Sequence, residues 1–171
     1  RGGRPPRSCA FRLRPGAVCL GALLLLAGPP LFPLSIAATG GYNSTIDAAD
    51  LTGATGSDFE STYTSASDAV IIDITDAVDE NEQWYLDVHV TEMNWDPSFH
   101  LQVVRASDGT GLGTISGGTT LQDLDATATL SFEGTGNRAS VYVQVVLTGV
   151  SVTVGADAYA AQIVFTLRDA N

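Results

Sequence analysis

Apolar and polar residues alternate repeatedly along the chain after about residue 40, with a period of two. This period is typical of β-strands, because successive side chains of a strand point to opposite faces of a sheet. Clusters of Gly, Asp, Asn and Ser, which favour turns, separate the alternating segments. The pattern predicts strands most clearly at residues 70–74, 84–90, 99–105, 126–132, 141–147 and 159–167, and indicates further strands less clearly at 39–51, 113–115, 119–124 and 150–154.

The same region contains no useful length of the 3.6-residue period that marks an amphipathic helix. Many short strands without intervening helices are typical of two sheets packed face to face. We therefore expect an all-β fold, a single immunoglobulin-like or jelly-roll sandwich of about 7–9 antiparallel strands.

Two neighbouring predicted strands have apolar faces that match each other. Their inward residues would be Trp84, Leu86, Val88 and Val90, and then Phe99, Leu101 and Val103. Pairing Val90 with Leu101 in an antiparallel register places both apolar sets on one side of a sheet. The sequence therefore predicts a hairpin here, with His89 and His100 on its polar face.

The first 38 residues differ in composition from the rest. Five of the eight arginines lie within the first fourteen residues, and an apolar run follows at residues 17–27. This arrangement is typical of a secretory signal peptide, and the small residues at 35–38 predict cleavage after Ala37 or Ala38. Since a bilayer span needs about 20 apolar residues, the run is too short to cross a membrane. We expect a signal at 1–38, an N-terminal extension or first strand at 39–55, a sandwich domain at 56–171, and a secreted protein with no membrane span in the mature chain.

The chain beyond residue 38 is strongly acidic. It has three arginines, no lysine and nineteen Asp and Glu residues, which give a formal charge of −16 with His neutral. Such a surface repels nucleic acid, which we exclude as a partner. Both cysteines, Cys9 and Cys19, lie in the predicted signal, so the mature domain offers neither a thiol nor a lysine nucleophile. No other catalytic constellation is recognisable, and we expect neither enzymatic activity nor a cofactor.

Three features suggest binding or modification. Asp73, Asp76 and Asp79 could offer oxygen ligands to calcium, but their spacing does not match a calcium loop, and a solvated acidic turn is the alternative. Trp95, in the turn at 94–97, could stack on a sugar or on a neighbouring subunit, or could fold over the end of the sandwich. Asn43 begins an Asn-Ser-Thr glycosylation sequon.

The C-terminal segment GADAYAAQIVFTL, residues 155–167, resembles the final strand of secreted pilin-type and spore-coat-U-like domains. Those strands close with a Gly, then a Tyr, then alternating β-branched residues. Here the inward residues would be Tyr159, Ala161, Ile163, Phe165 and Leu167. The resemblance implies an immunoglobulin-like sandwich that lacks one strand and polymerises when a strand from the next subunit fills the gap, although the disulfide pair usual in these families is absent here.

The function implied by this resemblance is a non-enzymatic structural subunit of an extracellular filament, pilus or surface coat, whose partners are copies of itself. The donor strand would lie at residues 39–51, with Tyr42, Ile46 and Ala48 on one side. The same segment could instead be the first strand of its own domain. The alternative function is a secreted carbohydrate- or calcium-binding sandwich module, and a secreted hydrolase acting through His89 or His100 ranks third.

Overall fold

The structure, a computed structural model, describes residues 34–170, apart from the side chains of residues 92 and 93. The predicted signal up to residue 33 lies outside the described residues. Ten strands form within them, with one short 3-10 helix at Ala48–Asp50. The strands are β1 Ser35–Gly40, β2 Thr62–Thr64, β3 Val70–Thr75, β4 Gln83–Asn94, β5 His100–Arg105, β6 Ile115–Gly117, β7 Gln122–Asp123, β8 Thr129–Thr135, β9 Arg138–Thr148 and β10 Ala160–Asp169.

The strands form two antiparallel sheets. The first has the order β1-β3-β9-β5-β7, with β2 beside β9 where β3 ends, and the second has the order β10-β4-β8-β6. The predicted all-β sandwich is therefore confirmed. The strand total exceeds the expected number, and three of the strands have only two or three residues each. Of these, β6 and β7 overlap the segments predicted at 113–115 and 119–124, whereas β2 was not predicted.

The core consists of alternate residues from both sheets. Trp84 of β4 is fully buried, its indole ring meets the edge of Phe132 with 6.3 Å between ring centroids, and its Nε1 donates a hydrogen bond of 2.9 Å to the carbonyl oxygen of Gly136. Around it lie buried aliphatic side chains from β3, β4 and β9: Ile72, Ile74, Leu86, Val88, Val141, Val143 and Val145. The period-two pattern therefore predicted the buried faces correctly.

The predicted hairpin is wrong, because β4 and β5 lie in different sheets. β4 pairs with β10 and β8, whereas β5 pairs with β9 and β7. The prediction of which residues face inward on these two strands is nevertheless confirmed, since Trp84, Val90 and Leu101 are all buried. Two strands that face each other across a core have the same alternation as two strands paired within one sheet, so the pattern alone could not distinguish the arrangements.

The N-terminal part of the domain also differs from the sequence expectation. Residues 35–38, assigned to the end of the signal, belong to β1, which pairs along its whole length with β3. Residues 39–51 do not form a continuous strand, and neither do residues 150–154. β1 ends at Gly40, where the backbone has a φ of +103° and a Cβ would lie 2.2 Å from the carbonyl oxygen of Ala69, so only glycine fits this turn.

Candidate functional site

An open cleft runs along one side of the sandwich, between the end of β1 in the first sheet and β10 in the second. Its volume is about 1380 Å³. Apolar side chains from both sheets line it, among them Leu101, Val145, Leu147, Ile163 and Phe165. We call this feature the side cleft.

The side cleft exists because the first sheet is narrower at one end. On one side, β9 pairs with β3 at residues 138–143, and β3 in turn pairs with β1. Further along the same side, at residues 146–148, β9 pairs only with the short β2, while β5 lies on its other side. The first half of β10 lies at this narrow end, where Tyr159 packs against Phe99 with ring centroids 4.9 Å apart. The inward residues Ile163 and Phe165 were predicted correctly, but they are only half-buried because no strand covers them here.

The predicted donor residues lie unevenly around the side cleft. Tyr42 and Ile46 are half-buried and line it, whereas Ala48 is exposed and begins the 3-10 helix. The amide of Gly41 donates a hydrogen bond of 2.8 Å to the carbonyl oxygen of Ala69. Within residues 34–170, no backbone hydrogen bond is found for residues 42–46. Their side chains therefore cover the cleft without a β-ladder, and Asn43 is exposed in the same stretch.

Trp95 closes one end of the side cleft. Its ring meets the edge of Phe99 at a centroid distance of 5.4 Å, and its Nε1 donates a hydrogen bond of 3.2 Å to the carbonyl oxygen of Phe99. Of the two interpretations of Trp95, the structure has the aromatic folded over the end of the sandwich. An indole with its N–H and one edge already engaged offers less surface to a sugar than a free loop aromatic would.

Three aspartates hold the loops at the rim of the side cleft, and hydrogen bonds lower the pKa of each. For Asp58 the main cause is the amide of Val152, at 2.8 Å, followed by its bond from Phe59. The pKa of Asp96 is lowered mainly by the hydrogen bond from the hydroxyl of Ser98, at 2.6 Å, and then by the bond from the amide of Ser98. The pKa of Asp157 is lowered mainly by the hydrogen bond from the amide of Ala158, at 2.7 Å, and then by the bond from the side chain of Asn94. Each bond favours the charged carboxylate.

We expect acid to loosen this rim. Because the folded-state pKa values lie below the ordinary value of 3.8, these bonds stabilise the rim above that pH, and the stabilisation is lost as pH falls through the lower, folded-state values. In a titration from about pH 5 to about pH 2, NMR signals of the Ser98, Val152 and Ala158 amides should shift with midpoints below 3.8. Asp58→Asn should abolish the response at Val152 alone, and midpoints at or above the ordinary value would contradict the expectation.

The arginines of the described residues are all engaged. Arg105 is buried, donates to the carbonyl oxygen of Gly117 at 2.8 Å and pairs with Asp108, and burial lowers its pKa, with Arg138 as the second cause. Arg138 is also buried and donates to the carbonyl oxygen of Gly113 at 2.6 Å, while Arg168 pairs with Asp87. The two buried guanidinium groups hold the glycine-rich connection onto the sandwich, and the outer surface is left predominantly acidic.

The chemically suggestive residues are not brought together. His89 and His100 lie on the outer faces of different sheets. They are therefore not the neighbours on one hairpin that the sequence predicted. Asp73 accepts a hydrogen bond from the amide of Ser140, and Asp79 accepts from the amides of residues 81 and 82. Asp76 adopts a positive φ of 67° beside Thr75, whose hydroxyl bonds to its carboxylate. Across residues 34–170, no three His, Cys, Asp or Glu side chains are placed to hold a metal ion.

Comparison of the chain with models of known families, with curated proteins and with solved structures gives no match. Over the described residues, no helix has the length and apolar character needed to span a membrane. The features that bear on function are therefore the side cleft, the strand edges beside it, and the residues that cover it.

Proposed function

We propose that this protein is a non-enzymatic structural subunit of an extracellular filament, pilus or surface coat, which assembles with copies of itself by strand addition. The observation that supports this most directly is the side cleft, where inward-facing apolar residues of β10 are only half-buried, beside a strand edge that pairs with no described strand. An apolar cleft next to such an edge is the surface that an added strand satisfies, since its backbone completes the ladder and its side chains fill the cleft.

The free edge of β10 supports the proposal because it lacks the usual protection. Among the described strands β10 pairs only with β4, so half of its backbone N–H and C=O groups face outward. Natural edge strands are commonly short, or carry Lys, Pro or inward charges that prevent association. β10 has ten residues, contains neither Lys nor Pro, and carries its charges only at its end, at Arg168 and Asp169. Of the other outer strands, β6 and β7 have three and two residues, and β1 has six.

The occupant that fits this edge is residues 39–51 of a second copy. Tyr42 and Ile46 already contact the side cleft of their own chain, and a segment that packs in its own subunit can make the same contacts in a neighbour. In an extended conformation Tyr42, Ile46 and Ala48 would share one side. Because the acidic surfaces of two copies repel each other, assembly has to be driven by apolar burial and backbone pairing, and salt should promote it.

A charge placed in the donor segment should prevent assembly. We expect Ile46→Asp to reduce polymer to background, because inserting the segment would bury an unpaired carboxylate. Thr45→Asp is the matched control, since it adds the same charge at an adjacent exposed residue and should leave assembly intact. Electron microscopy and sedimentation of the secreted protein would measure both variants, with circular dichroism to show that each remains folded.

Ordered fibres or sheets from the unmodified protein are the expected result. A protein that stays monomeric at high concentration and high salt would overturn the proposed function. Equal loss of polymer in both variants would show that any added negative charge in this segment prevents assembly, whether or not it replaces an apolar residue that has to be buried.

A further inference from the structure

Two of the three arginines in the described residues are buried at one end of the sandwich. Arg105 is the last residue of β5 and Arg138 is the first residue of β9, and each is 8% exposed. Both contact the glycine-rich connection at residues 109–118, because Arg105 donates to the carbonyl oxygen of Gly117 and Arg138 donates to that of Gly113. A chain with an acidic surface therefore encloses two positive charges at this end.

The described residues supply a counter-charge to only one of these arginines. Asp108 forms an ion pair with Arg105, whose guanidinium also lies over the ring of Phe132, 5.9 Å from its centroid. Within residues 34–170, no carboxylate forms an ion pair with Arg138. Burial lowers the pKa of Arg105, and the positive charge of Arg138 is the second cause, so the two guanidinium groups repel each other. A buried charge without a partner is costly, because it has lost water and gained nothing in return.

Arg138 also lacks most of the hydrogen bonds that its side chain could make. A guanidinium has five N–H donors, and the side chain of Arg138 makes one hydrogen bond to the described residues, from Nη2 to Gly113 at 2.6 Å. Its Nε is sealed from solvent and has no partner. Since an unpaired buried donor destabilises the folded state, and a charged donor does so most, an acceptor placed against these N–H groups would be bound favourably.

We propose that Arg138 is the centre of a buried anion site that takes a halide ion such as chloride. One negative charge matches the one positive charge that Asp108 leaves uncompensated. The N–H groups of a guanidinium can converge on a single anion, as they do on a carboxylate. The site is nearly closed, since Arg138 is only 8% exposed, and this excludes bulky organic acids. A divalent anion would bring excess charge and be repelled more strongly by the acidic surface.

The bound halide would stabilise the glycine-rich connection against the sandwich. Arg138 already holds Gly113, and the neighbouring Ala139 exchanges two backbone hydrogen bonds with Thr110 of the same connection, of 2.7 and 2.8 Å. Neutralising the guanidinium would remove the repulsion between the two arginines at this point. Neither arginine lines the side cleft, so the anion site is independent of the proposed function.

The test compares thermal unfolding in sodium chloride and in sodium gluconate at equal ionic strength, so that screening of the acidic surface is the same. With chloride at about ten times its Kd, the melting temperature of the unmodified protein should be roughly 4–6 °C higher than in gluconate. Arg138→Met should lose this difference, because it removes the guanidinium and keeps a long side chain. Arg168→Met is the matched control, since it removes one positive charge from an exposed side chain and should keep the difference.

A second measurement uses the unmodified protein alone, in case Arg138→Met does not fold. The chloride NMR line should broaden when the protein is added, and bromide should reverse the broadening by occupying the same site. Equal melting temperatures in the two salts, or a chloride line that does not broaden, would overturn the anion site. A chloride effect of the same size in Arg138→Met would show that the ion binds elsewhere, and this would overturn the assignment to Arg138.

Discussion

Replacing Trp84 with alanine is expected to lower the free energy of unfolding by about 3–5 kcal/mol, the cost typical of removing a large buried aromatic ring. Trp84 is fully buried and packs edge-on against Phe132. The variant would also leave the carbonyl oxygen of Gly136 without the 2.9 Å bond from the indole. Since small domains are stable by only about 5–15 kcal/mol, this change would remove a large part of the total.

The comparison variant is Trp84→Phe, which keeps an aromatic ring in the core and loses chiefly the indole hydrogen bond and part of the volume. The free energy of unfolding should fall less in Trp84→Phe than in Trp84→Ala, by about 1–3 kcal/mol. Urea unfolding followed by circular dichroism measures both variants. A loss below about 1 kcal/mol for Trp84→Ala would mean that Trp84 does not lie in a packed core.

Replacing Gly149 with alanine is expected to destabilise the domain by at least about 2 kcal/mol. Gly149 follows β9 with a φ of +82°, and a Cβ there would lie 1.9 Å from the carbonyl oxygen of Ser98. The left-handed conformation alone costs about 1–2 kcal/mol for other residues, and relieving the clash requires the backbone at Ser98 to move. The chain enters the rim of the side cleft directly after Gly149, so the movement should also disturb the cleft.

Gly155→Ala is the matched control, because Gly155 lies in the same loop, has no positive φ, and has no atom within 4 Å of the place that a Cβ would occupy. It should change stability little, since the added methyl group meets only open space. Thermal unfolding of both variants under identical conditions distinguishes them. Similar melting temperatures for Gly149→Ala and the unmodified protein would contradict the close approach to Ser98.

The inward faces of most long strands could be read from the sequence because side-chain alternation is a local property; in β8 the alternation fails at Leu130, which is exposed. Leu86, Val103 and Phe132 are buried as a period of two requires. The inward face of β10 was predicted in the same way, down to Ile163 and Phe165. The sequence could not indicate that these two residues are only half-buried, because their exposure depends on a strand that is missing from the other sheet.

One interpretation failed, and one segment has a structure that its sequence did not predict, for a related physical reason. The hairpin between β4 and β5 was inferred from matching apolar faces, but strands paired in one sheet and strands facing across a core satisfy the same match. Residues 35–38 have the small side chains of a cleavage site, and those residues also suit an edge strand that buries only Ile36. No local signal distinguished the alternatives, and only the long-range position of β3 gave β1 a partner.

The sequence by itself determined the class of fold, the faces that are buried, the acidic surface and the lack of thiol and lysine chemistry beyond residue 38. These properties follow from residue type and from the two-residue period of a strand. Only the tertiary structure decided which strands are neighbours, where Arg105 and Arg138 are buried, and that a cleft opens beside β10. The reason is that every strand offers the same backbone groups along both edges, so the choice of partner depends on how the whole chain closes around its core.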